Sequence, residues 1–200
     1  MSLNTAAPRG MGYRVLKWRA IAWLVVGHRS AAEQAFDEML ETWPDDAYGR
    51  ASRAHLRAQR GDLAAAIADA EALVRAHPER SAADWFNLAY LFEQAGRHAD
   101  AETAFRRAVA LDDKLDRAWY GLGLVLVRQG RIEEAIAALE RNTKLQPMSP
   151  YGWYQLARLH ADRHQPEEAV KIIRHLKGFE PKVAAQLERE TGLLVKAAGH

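Results

Sequence analysis

Two histidines, His160 and His164, lie four residues apart in the segment HADRH, and Asp162 lies between them. On a helix this spacing places both imidazoles on one face, where they could bind a single zinc ion. A protein zinc site needs at least three side-chain ligands, and the sequence offers no evident third one. The alternative is a packing role for His160 and a turn role for His164. We therefore expect no metal and no other cofactor.

Other catalytic signatures are missing from the sequence. It contains no glycine-rich phosphate loop, no nucleophile elbow and no pair of carboxylates with a partner acid. The lack of cysteine excludes thiolate catalysis, disulfides and cysteine-ligated metals. We therefore expect a protein that is not an enzyme.

A second group of charged residues forms a basic strip, which consists of Arg50, Arg53, Arg57 and Arg60. Spacings of three and four align these side chains on one face of a helix. One interpretation is a site for an anion or an acidic partner, and an alternative function of the chain is then binding of RNA or another polyanion. In the other interpretation the alkyl stems pack and the guanidiniums pair internally. The candidate acidic partners are Asp37, Glu38, Glu41 and Asp69.

The composition limits the class of protein. Two hundred residues suit one domain with a real core. With 48% hydrophobic and 27% charged residues, the chain resembles neither disordered nor membrane proteins. A net charge of +2 is too small to imply a nucleic-acid partner. The longest apolar run, Ala20 to Val26, is far shorter than the roughly 20 residues of a membrane span. We expect no membrane insertion, no cleaved leader and a cytoplasmic location.

The elements that position these residues repeat along the chain. Gly27, Gly61, Gly96 and Gly130 recur at a nearly constant interval. With each glycine at place 15, the units are 13–46, 47–81, 82–115, 116–149 and 150–183. Small residues recur at place 8, where they are Ala20, Ala54, Ala89, Gly123 and Ala157. Alanine recurs at place 20 as Ala32, Ala66, Ala101, Ala135 and Ala169. Small side chains at both places allow two helices of a unit to pack closely.

The segment Trp119–Pro147 resembles a tetratricopeptide repeat, a unit of about 34 residues with two antiparallel helices. The rival pentatricopeptide family binds RNA, but the Trp–Leu–Gly/Ala triplet and the place of the proline favour the tetratricopeptide family. The resemblance covers residues 13–183. It implies an all-α, right-handed superhelical solenoid of five helix pairs. A C-terminal capping helix and tail are predicted for 184–200, with the helix running from Pro181 to Ala197, and a flexible N-terminal tail is predicted for 1–12.

The same resemblance implies a non-catalytic scaffold or adaptor that binds a peptide or helix of a partner protein in its concave groove. Proteins of this family line that groove with the first helix of each unit. The predicted groove residues are Arg14, Lys17, Tyr48, Phe86, Asn87, Tyr90, Arg117, Tyr120, Arg128, Tyr151, Tyr154 and Arg158; the same places hold His55, Gln59 and Gln94. Aromatic rings between arginines suit a tail with acidic and apolar residues, although some of these rings can instead pack between units.

Chaperone-binding members of the family hold a C-terminal carboxylate in a clamp of basic and asparagine side chains. Asn87 and Arg117 match part of this clamp, but Ala51 and His55 occupy the places of its lysine and other asparagine. We therefore do not expect a receptor for chaperone tails.

The first predicted helix, YRVLKWRAIAWLVVG, has almost no polar face. A helix at the start of a stack has a neighbour on one side only, so part of this apolar surface needs another cover. Residues 1–12 can fold back over it, or a second copy or a partner's helix can cover it. The candidate residues for homodimer formation are Trp18, Ile21, Leu24 and Val25.

Overall fold

Short turns join the amphipathic segments of the chain into successive helix pairs. The computed structural model describes residues 10–195, and in this range it contains eleven helices and no strand. The helices are Met11–Val25 (α1), Arg29–Thr42 (α2), Ala47–Gln59 (α3), Leu63–Ala76 (α4), Ala82–Gln94 (α5), His98–Leu111 (α6), Asp116–Arg128 (α7), Ile132–Leu145 (α8), Pro150–Asp162 (α9), Pro166–Lys177 (α10) and Pro181–Thr191 (α11). The chain divides after Leu111 into two compact units, the first with α1–α6 and the second with α7–α11.

The turn inside each pair depends on a left-handed backbone conformation. Gly27, Gly61, Gly96 and Gly130 all have positive φ, between 73° and 86°. His164 has φ 56° at the corresponding place of the last pair, although a Cβ atom disfavours this conformation. His164 therefore has the turn role that the sequence predicted as the alternative to metal binding.

Small residues are buried where the helices of a pair cross. The five alanines at place 20 are fully buried, as predicted. At place 8 of the fourth pair, a Cβ atom added to Gly123 would lie 2.7 Å from Cγ of Leu139. A Cβ atom at this distance would force the Leu139 side chain to shift, so glycine allows the close approach of α7 and α8.

Tryptophans at the start of three helices form a recurrent contact that the sequence did not predict. Each indole Nε1–H donates to a carbonyl oxygen in the turn that precedes its helix. The three bonds run from Trp85 to Pro78 at 2.8 Å, from Trp119 to Asp113 at 2.9 Å and from Trp153 to Pro147 at 2.9 Å. The apolar body of each ring is partly buried while its one donor is satisfied, which is the usual requirement for a tryptophan in a protein interior.

The first and last helices differ from the sequence prediction. Helix α1 begins at Met11, so the last two residues of the predicted tail are helical, and residues 1–9 lie outside the described range. Helix α11 ends at Thr191 because Gly192 adopts φ 72°, and the predicted continuation of the helix is therefore wrong for residues 192–195. The rest of that continuation is outside the described range.

Helix α11 covers α10 and the outer part of α9, as expected of a capping helix. Ala184 and Leu187 are buried in a cluster with Ile173 and Leu176 of α10. Lys177 Nζ lies 2.7 Å from Glu188 Oε1, which ties the two helices at their polar edge. The apolar face that α10 would otherwise leave open is therefore covered.

Candidate functional site

A cleft of about 320 Å³ opens between α3 and α5 in the first unit. Its floor is apolar and built mostly from alanine, because small side chains leave space between the two helices. The apolar lining residues are Ala51, Ala54, Ala58, Ala70, Leu73 and Leu91. The floor can therefore take an apolar side chain of a ligand.

The rim of this cleft is polar and nearly uncharged. It contains His55, Gln59, Asn87, Tyr90 and Gln94, all of them exposed. Gln59 Nε2 lies 2.9 Å from His55 Nε2 across one turn of α3. Amide side chains both donate and accept hydrogen bonds, and they can therefore bond a peptide main chain in either direction.

Asp84 is the single carboxylate among the described residues that line the cleft, and it is already paired. Its two oxygens accept hydrogen bonds from Nε and Nη2 of Arg80, each at 2.8 Å. The residue is almost fully buried. Asp84 therefore contributes little net charge to the cleft, and neither an acidic nor a basic ligand is favoured there by a free charge.

The remaining predicted groove residues of the first unit do not line the cleft. The Nζ of Lys17 lies 4.2 Å from the ring centroid of Tyr48. Phe86 is half-buried, and its ring packs at 5.9 Å from that of Phe105. Arg14 is exposed on α1. Asn87 and Tyr90 are thus the two members of the predicted set that line the cleft.

The second unit carries an aromatic and basic surface on α7 and α9. The rings of Tyr120 and Tyr151 lie 6.5 Å apart in an edge-to-face arrangement, and Tyr151 is largely exposed. Arg117 and Arg128 are exposed on α7 and Arg158 on α9. All of these residues belong to the groove set that was predicted from the sequence.

Tyr154 differs from its neighbours because the capping helix engages it. Its hydroxyl donates to Glu190 Oε2 at 2.6 Å, and the guanidinium of Arg158 lies 5.9 Å from its ring centroid. The bond to Glu190, followed by burial, raises the pKa of Tyr154, and the same bond holds the pKa of Glu190 below its ordinary value. The hydroxyl of Tyr154 is thus already hydrogen-bonded within the chain.

The basic strip on α3 is paired with carboxylates of α2 and α4. Arg53 donates to both oxygens of Asp69, from Nε at 2.8 Å and from Nη2 at 2.5 Å, and from Nη1 to Asp37 at 2.7 Å. Arg57 contacts Glu33 and Asp69, each at 2.9 Å.

The two ends of the strip join the same network. Arg60 binds Glu33 at 2.6 Å, and Arg50 lies 3.8 Å from Asp69. The strip of Arg50, Arg53, Arg57 and Arg60 is therefore an internal ion-pair network and not an open anion site. Asp37 and Asp69 were among the predicted partners, whereas Glu33 was not.

Comparisons with known proteins agree with this architecture. A family model described as Tetratricopeptide repeat matches residues 19–80, 52–116, 87–150 and 120–178. These matches together cover most of the chain. The chain belongs to the tetratricopeptide-repeat family.

No curated protein sequence matches this tetratricopeptide-repeat chain significantly. Solved structures with the same fold include MamA residues 41 to the end from Desulfovibrio magneticus RS-1 (TM-score 0.76, 16% identity, 92% of this chain and 98% of that one). YrrB, described as a TPR protein with an unusual peptide-binding site, has a TM-score of 0.76 and 16% identity, with coverage of 91% and 100%. A tetratricopeptide repeat protein from Parabacteroides merdae has a TM-score of 0.79 and 17% identity, with coverage of 92% and 75%.

Two predicted features of the tetratricopeptide-repeat chain concern metals and membranes. His160 Nδ1 lies 2.8 Å from Gln165 Oε1, and within residues 10–195 no three potential metal ligands form a group. Over the same residues, no helix has both the length and the hydropathy that crossing a bilayer requires.

The cleft itself could have been located only in part from the sequence. His55, Gln59, Asn87, Tyr90 and Gln94 fall on groove places of the repeat, and their spacing was visible. The neutral character of the cleft was not visible, because it depends on the bond between Arg80 and Asp84 and on the withdrawal of the α3 arginines toward α2 and α4.

Proposed function

We propose that the chain is a non-catalytic scaffold or adaptor that binds an extended segment of a partner protein in the cleft between α3 and α5. The observation that carries this proposal is the combination of an alanine-rich apolar floor with a neutral amide and tyrosine rim. An apolar side chain of the partner enters the floor, and its main chain bonds to Asn87, Gln59 and Gln94. The peptide-binding site named for YrrB belongs to a protein of the same fold and supports the proposal by analogy.

The chemistry of the cleft favours an uncharged stretch of the partner at this place. Asp84 is neutralised by Arg80, and no other carboxylate is among the described residues that line the cleft. Acidic residues of a partner find better complements on the second unit, where Arg117 and Arg158 accompany Tyr120 and Tyr151. A tail with acidic and apolar residues thus remains our proposal for that surface.

Binding of RNA or another polyanion is the competing function, and the α3 network weakens it. Three of the four arginines that suggested a polyanion site, Arg53, Arg57 and Arg60, donate hydrogen bonds to Glu33, Asp37 and Asp69, and Arg50 lies 3.8 Å from Asp69. A polyanion would have to displace these carboxylates, two of which are nearly buried. A protein segment therefore fits the structure better.

The test is a selection of peptides from a random phage-displayed library against the immobilised chain, followed by titration calorimetry of the selected peptides. We expect peptides with a shared apolar residue, and we expect Asn87→Ala with Tyr90→Ala to weaken their binding by about tenfold or more. Both side chains are exposed, so the melting temperature should stay close to that of the wild type.

A matched variant separates the two surfaces. Tyr120→Ala with Arg117→Glu and Arg158→Glu alters the second unit and should weaken acidic peptides only. If neither variant weakens any selected peptide, the proposal fails. Binding of poly(U) whose affinity falls steeply with salt, with no peptide selected, would instead support the polyanion function.

A further inference from the structure

Helix α1 carries an exposed apolar stripe along its whole length. Met11, Val15, Trp18, Ala22 and Val25 recur at intervals of four and three residues, which keeps them on one side of a helix. Trp18 is 68% exposed and Val25 is 82% exposed. The opposite side of α1, centred on the fully buried Ala20, packs against α2. A large apolar surface of this kind is costly in water and marks an interaction site.

Two of the five stripe places, those of Val15 and Ala22, correspond to places of the next repeat that are buried against a helix. Gly49 and Leu56 stand in α3 where Val15 and Ala22 stand in α1, one repeat earlier, and both are buried. A Cβ atom on Gly49 would lie 3.2 Å from side-chain atoms of Met39 and Leu40 in the preceding helix. At these two places the stripe of α1 therefore corresponds to a surface of α3 that packs against α2, whereas Val25 corresponds to the exposed Gln59.

The occupant of the stripe can be argued from the other end of the chain. Head-to-tail stacking of copies would require the outer face of α10, but α11 already covers it with Ala184 and Leu187. Two copies can instead meet face to face about a two-fold axis, in which the same surface serves both. We propose that the stripe of α1 binds the same stripe of a second copy in antiparallel orientation.

The stripe is complementary to itself in that orientation. With Trp18 near the axis, Val15 lies opposite Ala22 of the second copy and Met11 lies opposite Val25 of the second copy. Away from the axis, each larger side chain thus meets a smaller one, as close packing of two helices requires.

Three cations of α1 accompany the stripe, and two of them are engaged within their own copy. Arg19 forms an ion pair with Glu38, Lys17 lies over the ring of Tyr48, and Arg14 is exposed at the edge of the stripe. The seam itself contains no charged residue.

The available area is sufficient for a weak but specific dimer. The exposed area of the stripe residues amounts to roughly 600 Å² per copy, so complete burial in two copies would reach at most on the order of 1,200 Å², the lower limit of a specific interface. Interfaces at this lower limit are typically weak, and we expect a dissociation constant on the order of tens of micromolar. The inference goes beyond the proposed function, because the cleft lies on α3 and α5.

The first measurement is sedimentation equilibrium of the full chain from the low micromolar range to several hundred micromolar. We expect a monomer–dimer equilibrium for the wild type, and at least about 30-fold weaker association for Trp18→Glu with Val25→Glu. Met148→Glu with Leu194→Glu is the matched control, because both residues are exposed hydrophobics of the second unit. It should dimerise like the wild type, and peptide binding in the cleft should be unchanged in both variants.

The second measurement tests the antiparallel register. The chain has no cysteine, so introduced cysteines report on single contacts. Mixing Val15→Cys with Ala22→Cys should give an oxidised heterodimer in higher yield than either variant alone, because a disulfide needs Cα atoms within about 7 Å. A wild type that remains monomeric at the highest concentration overturns the proposal. A dimer that survives the two glutamates does so as well, and so does a monomer that binds vesicles of anionic phospholipid through Trp18.

Discussion

Replacement of Asp69 by asparagine should destabilise the first unit more than any other single charge removal in the α3 network. The Asp69 side chain is 4% exposed and accepts three hydrogen bonds, two from Arg53 and one from Arg57. Arg50 lies 3.8 Å away, so three guanidiniums share this one carboxylate. An amide keeps the shape of the side chain but turns an NH₂ group toward cationic donors.

The magnitude follows from burial and from the contacts that remain. Removal of one partner from a buried ion pair costs about 3–5 kcal/mol. Arg53 and Arg57 keep bonds to Asp37 and Glu33, and both arginines are partly exposed, so the lower part of this range applies. We expect Asp69→Asn to lower the free energy of unfolding by about 3 kcal/mol. The hydrogen bonds that Arg53 donates to Asp69 stabilise the charged guanidinium, and they therefore also raise the pKa of Arg53 in the wild type.

Asp37→Asn provides the control within the same network. Asp37 is 43% exposed and makes one short bond, to Arg53. Solvent screens such a pair, and its removal should cost less than about 1 kcal/mol. Urea unfolding followed by far-ultraviolet circular dichroism measures both variants. If Asp69→Asn and Asp37→Asn lower the free energy of unfolding by the same amount within error, burial of the Asp69 carboxylate does not determine its contribution to stability. That result would refute the prediction.

Two further predictions concern packing and pH. Ala135→Leu should overpack the fully buried crossing of α7 and α8 and lower the free energy of unfolding in urea by roughly 1–3 kcal/mol, whereas Ala137→Leu on the exposed side of α8 should change it very little. Equal free energies of unfolding for the two variants would show that the crossing is misplaced. Tyr154→Phe should raise the pKa of Glu190 toward its ordinary value of 4.5, as measured by NMR titration of the side-chain carboxyl. A depressed carboxyl pKa adds stability above the unfolded pKa, and this contribution is lost as the pH falls through the folded pKa. The variant should therefore be less stable than the wild type near pH 7 and equally stable near pH 2; a loss that persists at low pH would indicate packing instead.

The boundaries of the helix pairs were predictable because they depend on the spacing of residues that are close in sequence. The alanines of place 20 and the turn glycines repeat at fixed intervals, and their burial and positive φ follow directly. The helices α3, α5, α7 and α9 begin at the residues where the second to fifth units were predicted to begin. The ends were less predictable, since Gly192 stops α11 by a backbone conformation that an otherwise helical pattern does not reveal.

The candidate site was predictable only as a set of places, because its chemistry depends on contacts between distant residues. The sequence showed the stripe of arginines on α3, but only the structure shows that Glu33 forms ion pairs with Arg57 and Arg60. Likewise, the sequence did not show that Tyr154, unlike its neighbours on α9, donates a hydrogen bond to Glu190 of α11. A stripe in one helix does not specify which helix faces it.

The hydrogen bonds of the tryptophans have a consequence for how such a chain can change in evolution. The loop between α4 and α5 is one residue longer than the loop between α8 and α9. Trp85 accordingly reaches a carbonyl one position further back than Trp153 does, yet the two bonds measure 2.8 Å and 2.9 Å. The added residue is absorbed by the loop, and the indole still meets a carbonyl at hydrogen-bonding distance. Insertions and deletions between repeats should therefore be tolerated at this point, whereas the same change between a turn glycine and the place-20 alanine that follows it would displace a whole helix.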